Sequence, residues 1–480
     1  MTYRKDQIAA FESYVQKIMD AYEAPGLAVA LAEHGKVTYQ QNFGTRDQAA
    51  GTAVDGQTIF GLASVTKSFT ALAIMQLAEQ GLLSLNDPVT RYLPEFKLAQ
   101  GQPADAITIH HLITHTAGFP PLPALDYCIR ANTTPDEDES AERETSEYPS
   151  VNTMPELLDY IATGDYQMLG QAGEFFSYSN DCYGLLGEII ERVSGQPYTE
   201  YVQQHILQPL GMQRSMFTMQ ELLQFDNVTE LYYRNGQDEL IHSPNWQVAP
   251  PFTACGWLKS CADDLIKYAQ MYANGGEYAG QRLLSEQGVK QMQQVTLEFN
   301  QGRKYGYGLI VKQDYAGVTL VEHGGSLKGV SSNMGFAPEK GIAAIVLCNL
   351  TGVPVAKIWL ALINLALGLP IEQHYVDYSP CGWTADMRES VMGEYSSGEG
   401  AEFQIEQDEA GELTVKAPVG TFKLQPIGPN RAIWRYKLAE NEMRFLFDET
   451  GKAWAIHAGG RVIRRVPGRP SPATDKRSAK

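Results

Sequence analysis

The feature that most constrains this chain is a predicted helix that is apolar on almost every side. It lies in the segment TIFGLASVTKSFTALAIMQLAEQGLLSL, residues 58–85, where an extended stretch leads into the helix. A helix with one apolar stripe lies at a protein surface, whereas a helix that is apolar all round has to be enclosed. We therefore expect this helix to be buried, with other parts of the chain packed around it.

Predicted strands lie on both sides of this helical region. The segment GLAVALAEHGKVTYQQNFG predicts two strands joined by a turn at His34 and Gly35. Later in the chain, strands separated by Gly-rich turns are predicted near Tyr307–Lys312, Val318–Glu322, Ser332–Ala337 and Ile342–Cys348, followed by a helical stretch at Val355–Leu367. Strands at both ends of a helical middle predict an α+β fold, with an antiparallel sheet completed late in the chain.

The chain of 480 residues is too long for one small core, so we expect a large domain and a smaller one. From about Gly382 the sequence changes to short alternating segments separated by Gly, Asn and Pro, which predict an antiparallel barrel or sandwich. The predicted units are a first domain at 1–365, a linker at 366–380, the small β domain at 381–467 and a disordered tail at 468–480.

One polar and acidic segment interrupts the first domain at residues 126–150, DYCIRANTTPDEDESAERETSEYPS. Such a composition is typical of a solvated surface loop inserted into a domain. Long loops in compact domains are often functional, so a lid or rim near an active site is the alternative.

The charge balance excludes some partners. With 38 basic and 56 acidic residues the formal net charge is -18, which repels phosphate backbones and anionic membranes. No window approaches the roughly 18 apolar residues that a membrane span needs, and no basic and apolar leader precedes the first helix. The resulting expectations are no nucleic acid, no membrane and a cytoplasmic location.

The first candidate motif is Ser64-Val65-Thr66-Lys67, at the start of the apolar helix. Residues three apart share a helix face, so the Lys67 amine is expected one turn from the Ser64 hydroxyl. A serine hydroxyl needs a base to become a good nucleophile, and burial and the positive end of the helix dipole both favour a neutral lysine that can serve. The motif alone is weak, because a chain of this size produces it about once by chance.

The second candidate is Tyr178-Ser179-Asn180. In an extended loop residues two apart point the same way, so Tyr178 and Asn180 can face one cleft. A phenol near a cation can carry protons between nucleophile and leaving group, while the amide can hold the lysine and the substrate. The same pattern recurs at residues 272–274, where it closes a helix before two glycines; we interpret that copy as structural.

The third candidate is His323-Gly324-Gly325-Ser326, between two predicted strands. Glycine such as Gly325 permits close approach of another backbone or a ligand. The backbone N–H of Ser326, with that of Ser64, could form an oxyanion hole, and His323 would supply a polar or cationic wall for the substrate.

Together, in this order and spacing, the three motifs resemble the serine β-lactamase and penicillin-binding-protein superfamily. The nearest resemblance is to its class C-like branch of esterases, D-aminopeptidases and related peptidases. The likeness covers about residues 10–365 and extends to the segments LNDPVTRYLPEF, ITIHHLITHTAGF, PLGM, YGYGLIV and HGGSLKG. It implies a β-lactamase/transpeptidase-like fold with Ser64 as nucleophile, Lys67 as base, Tyr178 as proton shuttle and Asn180 orienting lysine and substrate. The C-terminal segment is similar to the small lipocalin-like barrel that many of these hydrolases carry.

One departure from the family pattern bears on the substrate. β-Lactamases and DD-peptidases usually have Lys-Thr-Gly or Lys-Ser-Gly in the third motif, where the lysine helps to bind a substrate carboxylate. His323 is shorter and largely neutral at pH 7. We therefore expect a hydrolase of carboxylic esters or small amides and peptides. A D-amino-acid-specific peptidase or a DD-peptidase/β-lactamase-type enzyme is the first alternative. A binding or sensor protein that is acylated without turnover is the second.

The remaining candidates have structural interpretations. The six cysteines lack metal-binding spacing and are expected as reduced, mostly buried thiols, although Cys255 and Cys261 are close enough in sequence to bridge. No cofactor and no metal is expected, because His110, His111 and His115 lack an accompanying HExxH pattern.

The aromatic residues Trp257, Tyr305 and Tyr307 line an acyl pocket or belong to the core. The expected partner is a small-molecule ester, amide or peptide, with a homo-oligomer possible.

Overall fold

A computed structural model describes residues 3–136 and 148–467 of the chain. Its α-helices are α1 (Lys5–Tyr22), α2 (Thr66–Glu79), α3 (Ile109–Ile113), α4 (Ala124–Asn132), α5 (Met154–Thr163), α6 (Asn180–Ser194), α7 (Tyr198–Val202), α8 (Met219–Leu222), α9 (Thr253–Gly256), α10 (Ala262–Ala273), α11 (Glu286–Met292), α12 (Val355–Leu367) and α13 (Ala385–Val391).

The strands fall into a first group that ends before α12 and a second group that follows α13. The first group is β1 (Gly26–Glu33), β2 (Lys36–Asp47), β3 (Thr52–Ala53), β4 (Phe60–Gly61), β5 (Leu231–Arg234), β6 (Leu240–Ser243), β7 (Lys259–Ser260), β8 (Glu277–Tyr278), β9 (Gln281–Arg282), β10 (Glu298–Asn300), β11 (Arg303–Tyr305), β12 (Ile310–Tyr315), β13 (Val318–Leu327), β14 (Val330–Ala337) and β15 (Ile342–Cys348). The second group is β16 (Gly393–Ser396), β17 (Glu402–Gln407), β18 (Leu413–Ala417), β19 (Gly420–Lys423), β20 (Gln425–Gly428), β21 (Arg431–Tyr436), β22 (Ala439–Phe447), β23 (Ala453–Ala458) and β24 (Arg461–Arg465).

The larger domain is built around an antiparallel sheet of nine described strands, in the order β10-β11-β12-β13-β14-β15-β1-β2-β3. The first strand pairs with the last, with Val29 opposite Val346. The β1–β2 hairpin turns at His34 and Gly35, both with positive φ, as the sequence predicts. The sheet therefore is completed late in the chain, which confirms the α+β prediction.

Helices cover both faces of this sheet. Alternate side chains of β1 point to opposite faces, so Val29 packs in the cluster with Trp359 of α12, while Ala30 packs in the cluster with Tyr272 of α10. Helix α1 contacts α12 and contributes Phe11 to the same cluster as Val29. Because both faces are covered, β1 and β15 are buried along almost their whole length.

Helix α2 lies inside the larger domain, as its apolar composition predicts. Every residue from Thr66 to Leu77 is buried. The few polar groups along it are hydrogen bonded: Thr70 Oγ1 donates to Ala254 O at 2.6 Å and Gln76 Nε2 donates to Leu283 O at 3.0 Å. Helix α2 also packs against α6, and the turn at residues 63–65 that precedes it packs against β13, so the elements that carry the three motifs are in contact.

The second group of strands forms a nearly closed antiparallel barrel, which confirms the small β-barrel domain. The sheet order is β19-β18-β17-β16-β24-β23-β22-β21-β20. Its two end strands are consecutive in the chain and separated by Leu424 alone, so the sheet curls back on itself. The interior is apolar, with Val415, Met443 and Phe445 buried.

The segment predicted as an acidic loop at 126–150 begins as helix. Residues 126–132 form most of α4, because Ala124, Cys128 and Ile129 recur at helical spacing and bury one face. Residues 137–147 of that segment, and the predicted tail at 468–480, lie outside the described residues.

Among the residues that the structure describes, no helix has the length and apolar character needed to cross a membrane.

Candidate active site

Ser64 lies in a single 3₁₀ turn, Ala63–Val65, between β4 and α2. Its side chain is partly exposed, while both neighbours are buried. Ala63 has a φ of 45°, a conformation that non-glycine residues seldom adopt. Ser332 Oγ donates to Leu62 O at 2.6 Å, so the central sheet anchors the turn that presents the hydroxyl.

Lys67 is fully buried, and three oxygen atoms surround its amine. The Nζ atom lies 3.3 Å from Ser64 Oγ, 2.9 Å from Asn180 Oδ1 and 2.8 Å from Cys255 O. The amide and peptide oxygens only accept hydrogen bonds, so they take two of the lysine hydrogens. The third bonding position of the Nζ atom points at the Ser64 hydroxyl.

Tyr178 and Asn180 both lie against Lys67, as their spacing predicts. Ser179 caps α6 by accepting from Cys182 N at 3.2 Å, which places Asn180 at the first position of the helix. The Tyr178 ring centroid is 4.8 Å from Lys67 Nζ. The Tyr178 hydroxyl is buried and has no hydrogen-bond partner in the described part of the chain.

The second tyrosine motif is structural, as expected. Tyr272 is buried in α10 with its ring stacked on Phe336, and Asn274 follows the last residue of that helix.

His115 supports Tyr178, a contact that sequence reasoning missed. The two rings are 4.1 Å apart at 31°, and His115 Nδ1 accepts a hydrogen bond from Ser179 N at 3.1 Å. Burial, with the nearby Lys67 charge, lowers the pKa of His115 well below its usual value. The neutral ring therefore holds the loop that carries Tyr178.

The other two histidines near His115 make separate structural contacts. His110 Nδ1 lies 3.0 Å from Tyr307 Oη, and His111 contributes to the capping box at the start of α3.

His323 is a neutral residue whose two ring nitrogens are bonded within the protein. Its Nδ1 donates to Gly324 O at 2.7 Å, and its Nε2 accepts from Tyr305 Oη at 2.9 Å. Burial and the charge of Lys67 lower the pKa of His323 to about 3. The sequence left open whether His323 forms a polar or a cationic wall for the substrate. A neutral ring is compatible with the polar wall and not with the cationic one.

Gly325 brings β13 against the backbone that carries Ser64. A Cβ atom on Gly325 would lie 2.3 Å from Leu62 O, 2.5 Å from Ser332 Oγ and 2.9 Å from Ser64 N. Ser326 follows at the exposed end of the same strand. The third motif and the first are thus in direct backbone contact, with the amide groups of Ser64 and Ser326 on the two contacting elements.

Gly325→Ala is expected to lower stability by about 2 kcal/mol, because two of the colliding atoms belong to the backbone and cannot rotate away. It should also lower kcat/KM by about 10-fold or more by moving β13 away from Ser64. Urea unfolding and ester hydrolysis would measure the two effects. Gly324→Ala is the matched control, since its Cβ would have ordinary contacts at 3.6 and 3.9 Å. Equal losses of stability and of kcat/KM in Gly325→Ala and Gly324→Ala would contradict this account.

The C-terminal barrel also reaches this site. Asp181 is buried at the start of α6, and Oδ2 accepts from Ser179 Oγ at 3.1 Å. Burial and the neighbouring Glu399 carboxylate raise the pKa of Asp181 to about 7, although Arg461 acts in the opposite direction. Glu399 and Arg461 both belong to the barrel domain, and no local sequence pattern links them to the Tyr178 motif.

Asp181→Asn is expected to remove a pH dependence of stability. The folded pKa of about 7 lies above the ordinary 3.8, so the folded state holds the proton more tightly and this contribution is lost as pH rises from about 4 to 7. Wild type should lose stability relative to the variant by up to about 1.4 kcal/mol per pH unit in that window. Urea unfolding between pH 4 and 8 would measure this, with the partly exposed Asp126→Asn as control. If the free energy of unfolding changed with pH in the same way for wild type and Asp181→Asn, the raised pKa of Asp181 would be excluded.

The three candidate aromatic residues divide between pocket and core. Trp257 lines a small recess beside Ala63, together with Gly256 and Leu327. Tyr305 is fully buried behind His323, and Tyr307 is buried against His110.

The six cysteines are free thiols, of which Cys381 alone is exposed.

The fold and the three motifs define a protein of the serine β-lactamase and penicillin-binding-protein superfamily, which confirms the resemblance. A sequence profile described as Beta-lactamase matches residues 11–367, and the chain belongs to that family. The barrel lies beyond the matched residues.

Individual relatives agree with this assignment. The chain is 27% identical over 355 residues to Protein flp of Staphylococcus aureus (strain MW2), covering 74% of this chain and 65% of that protein. It is 29% identical over 353 residues to Esterase EstB of Burkholderia gladioli, covering 68% of this chain and 86% of the esterase. The solved octameric penicillin-binding protein homologue from Pyrococcus abyssi is similar over 95% of this chain and 100% of its own, with a TM-score of 0.68 and 29% identity. The last similarity extends into the barrel domain.

Proposed function

We propose that this chain is a serine hydrolase that forms an acyl-enzyme on Ser64. The observation that carries the proposal is the environment of the Lys67 amine. Two carbonyl oxygens take two of its hydrogens, and the hydroxyl of Ser64 lies 3.3 Å away in the remaining direction. With two positions of Nζ taken in this way, the lone pair of the deprotonated amine would point at the serine proton, which is the role of a general base.

In the proposed acylation, Ser64 Oγ bonds to the substrate carbonyl carbon and its proton passes to Lys67 Nζ. The carbonyl π electrons move to the carbonyl oxygen. When the tetrahedral intermediate collapses, the leaving group takes the phenolic proton of Tyr178, whose hydroxyl is free to donate it. The Lys67 ammonium then returns a proton to Tyr178, so the net result is the transfer of one proton from Ser64 to the leaving group. Water releases the acyl group by the reverse sequence.

We assign the oxyanion hole to the backbone amides of Ser64 and Ser326. Gly325 supports this assignment, because only a residue without Cβ allows β13 to approach the Ser64 backbone so closely. Asn180 holds the Lys67 amine at 2.9 Å, and we assign to it a contact with the substrate as well. His323 contributes a neutral wall.

The proposed substrates are carboxylic esters or small amides. A neutral His323 in the third motif offers no positive charge to a substrate carboxylate, which disfavours β-lactams and D-Ala-D-Ala termini. The likeness to an esterase supports the same substrate class.

A substrate panel tests this proposal. We expect kcat/KM for p-nitrophenyl acetate to exceed that for a D-alanine p-nitroanilide and for a chromogenic cephalosporin by about 10-fold or more, with steady turnover after any burst. Higher activity on the anilide would identify a D-amino-acid peptidase, and higher activity on the cephalosporin a β-lactamase. A burst of one equivalent with no steady state would identify an acylated sensor instead.

We also propose that the chain forms a homo-oligomer. The support is its similarity, over both domains, to the Pyrococcus abyssi homologue described as octameric. Light scattering on the full chain should give a multiple of the monomer mass, and a monomer at micromolar concentration would exclude the proposal.

A further inference from the structure

The hairpin between β23 and β24 of the barrel is docked onto the loop that carries Tyr178. Tyr178 N donates to Gly460 O at 2.9 Å, and Val462 N donates to Ser177 Oγ at 3.4 Å. Gly460 has a φ of 81°, and a Cβ there would lie 2.7 Å from Phe299. One backbone hydrogen bond and one backbone-to-side-chain hydrogen bond therefore hold the hairpin against the Tyr178 loop.

Arg461 follows directly in this hairpin and faces the Tyr178 ring. Its guanidinium carbon lies 5.0 Å from the ring centroid, and Nε donates to the Glu399 carboxylate. About 26% of the side chain is exposed. Burial opposes the charged form, but Glu399, Tyr178 and Asp181 together raise the pKa of Arg461, so it remains a cation beside the phenol.

We propose that Arg461 is a positioning residue that the barrel domain supplies to the hydrolase site, where its charge stabilises Tyr178 as a phenolate. This inference rests on the proposed function, in which Tyr178 gives its proton to the leaving group and regains one from Lys67. Between these two transfers the phenol oxygen carries a negative charge. Lys67, which holds the serine proton at this stage, and Arg461 are the two basic side chains within 5.0 Å of the ring in the described part of the chain. The barrel thus contributes to proton transfer as well as to structure.

The requirement for this charge depends on the leaving group. p-Nitrophenolate leaves without a proton, whereas ethanol leaves an ethyl ester only after taking one. Loss of Arg461 should therefore slow acylation by ethyl acetate more than acylation by p-nitrophenyl acetate. Both esters give the same acetyl-enzyme, so kcat/KM isolates the acylation step and deacylation cancels from the comparison.

The experiment compares R461Q and R461K in the full chain. R461Q should lower kcat/KM for ethyl acetate by about 30-fold and for p-nitrophenyl acetate by about 3-fold or less, while R461K retains most of both activities. In a Y178F background R461Q should have no further effect on ethyl acetate. R464Q is the matched control: Arg464 lies on the same strand and donates to Met168 O at 2.9 Å, but it contacts Trp454 rather than Tyr178.

Equal losses on the two esters would overturn the inference, as would failure of lysine to rescue, a loss confined to KM, or the same selective loss in R464Q. Labelling of Ser64 by a fluorophosphonate, measured on the same samples, separates the two proposals. Normal labelling with no leaving-group effect rejects only the role of Arg461. Labelling at another residue rejects the proposed function itself.

Discussion

Ser64→Ala is expected to lower kcat/KM for p-nitrophenyl acetate by at least about 1,000-fold while the protein remains folded. The hydroxyl is the partly exposed group that faces Lys67, and no other serine in the described residues has this position relative to its amine. The turn itself is held by Ser332 Oγ on Leu62 O and does not depend on the Ser64 side chain. Circular dichroism and thermal unfolding should therefore match those of wild type.

Ser68→Ala is the matched control for this loss. Ser68 lies one turn further along α2, is fully buried, and donates to Val65 O at 2.7 Å. Its removal should cost about 1 kcal/mol of stability but change kcat/KM by less than about 3-fold. Comparable activity losses in the two variants would point to a general disturbance of α2 and against a nucleophilic role for Ser64.

Lys67→Met is expected to lower kcat/KM by about 1,000-fold, because methionine fills similar space but offers no base to Ser64. The substitution leaves Asn180 Oδ1 and Cys255 O without their lysine donor, so some loss of stability should accompany the loss of rate. Activity is best measured well below the unfolding temperature of the variant, so that only folded protein contributes.

The chain contains a second buried lysine that serves as control. Lys259 Nζ donates to Phe217 O at 2.8 Å and to Trp257 O at 3.2 Å, and burial lowers its pKa to about 8. Lys259→Met also removes a buried amine bonded to carbonyl oxygens, yet it should change kcat/KM by less than about 3-fold. If both variants lost activity equally, burial of an amine rather than its contact with Ser64 would explain the result.

Much of the fold follows from local patterns in the sequence. The enclosed position of α2 follows from its apolar composition, and the ends of α12 match the predicted helix Val355–Leu367. The predicted strand near Ile342–Cys348 is β15 in the structure. These elements are predictable because alternation and helical spacing are properties of neighbouring residues.

The candidate site is only partly predictable in this way. Spacing within a helix or a loop placed Ser64 beside Lys67 and Tyr178 beside Asn180. The contact of Arg461 with Tyr178 joins residues almost 300 positions apart, and neither segment carries a local sign of the other. The Cys255 carbonyl that accepts from Lys67 is a backbone group, which residue type does not reveal.

The electrostatic state of His323 shows a second limit. From sequence the residue could form a polar or a cationic wall, because an isolated imidazole titrates near neutrality. Complete enclosure beside Lys67 removes the cationic form, and that enclosure arises only when β13, β11 and α2 are packed together.

The central claim is that Ser64 is the nucleophile, and fluorophosphonate labelling followed by peptide mass spectrometry tests it most directly. One equivalent of probe should be found on the peptide that carries Ser64, with no adduct in Ser64→Ala and much slower labelling in Lys67→Met. Labelling of Ser68→Ala should proceed as in wild type. An adduct on any other peptide, or undiminished labelling of Ser64→Ala, would contradict the account.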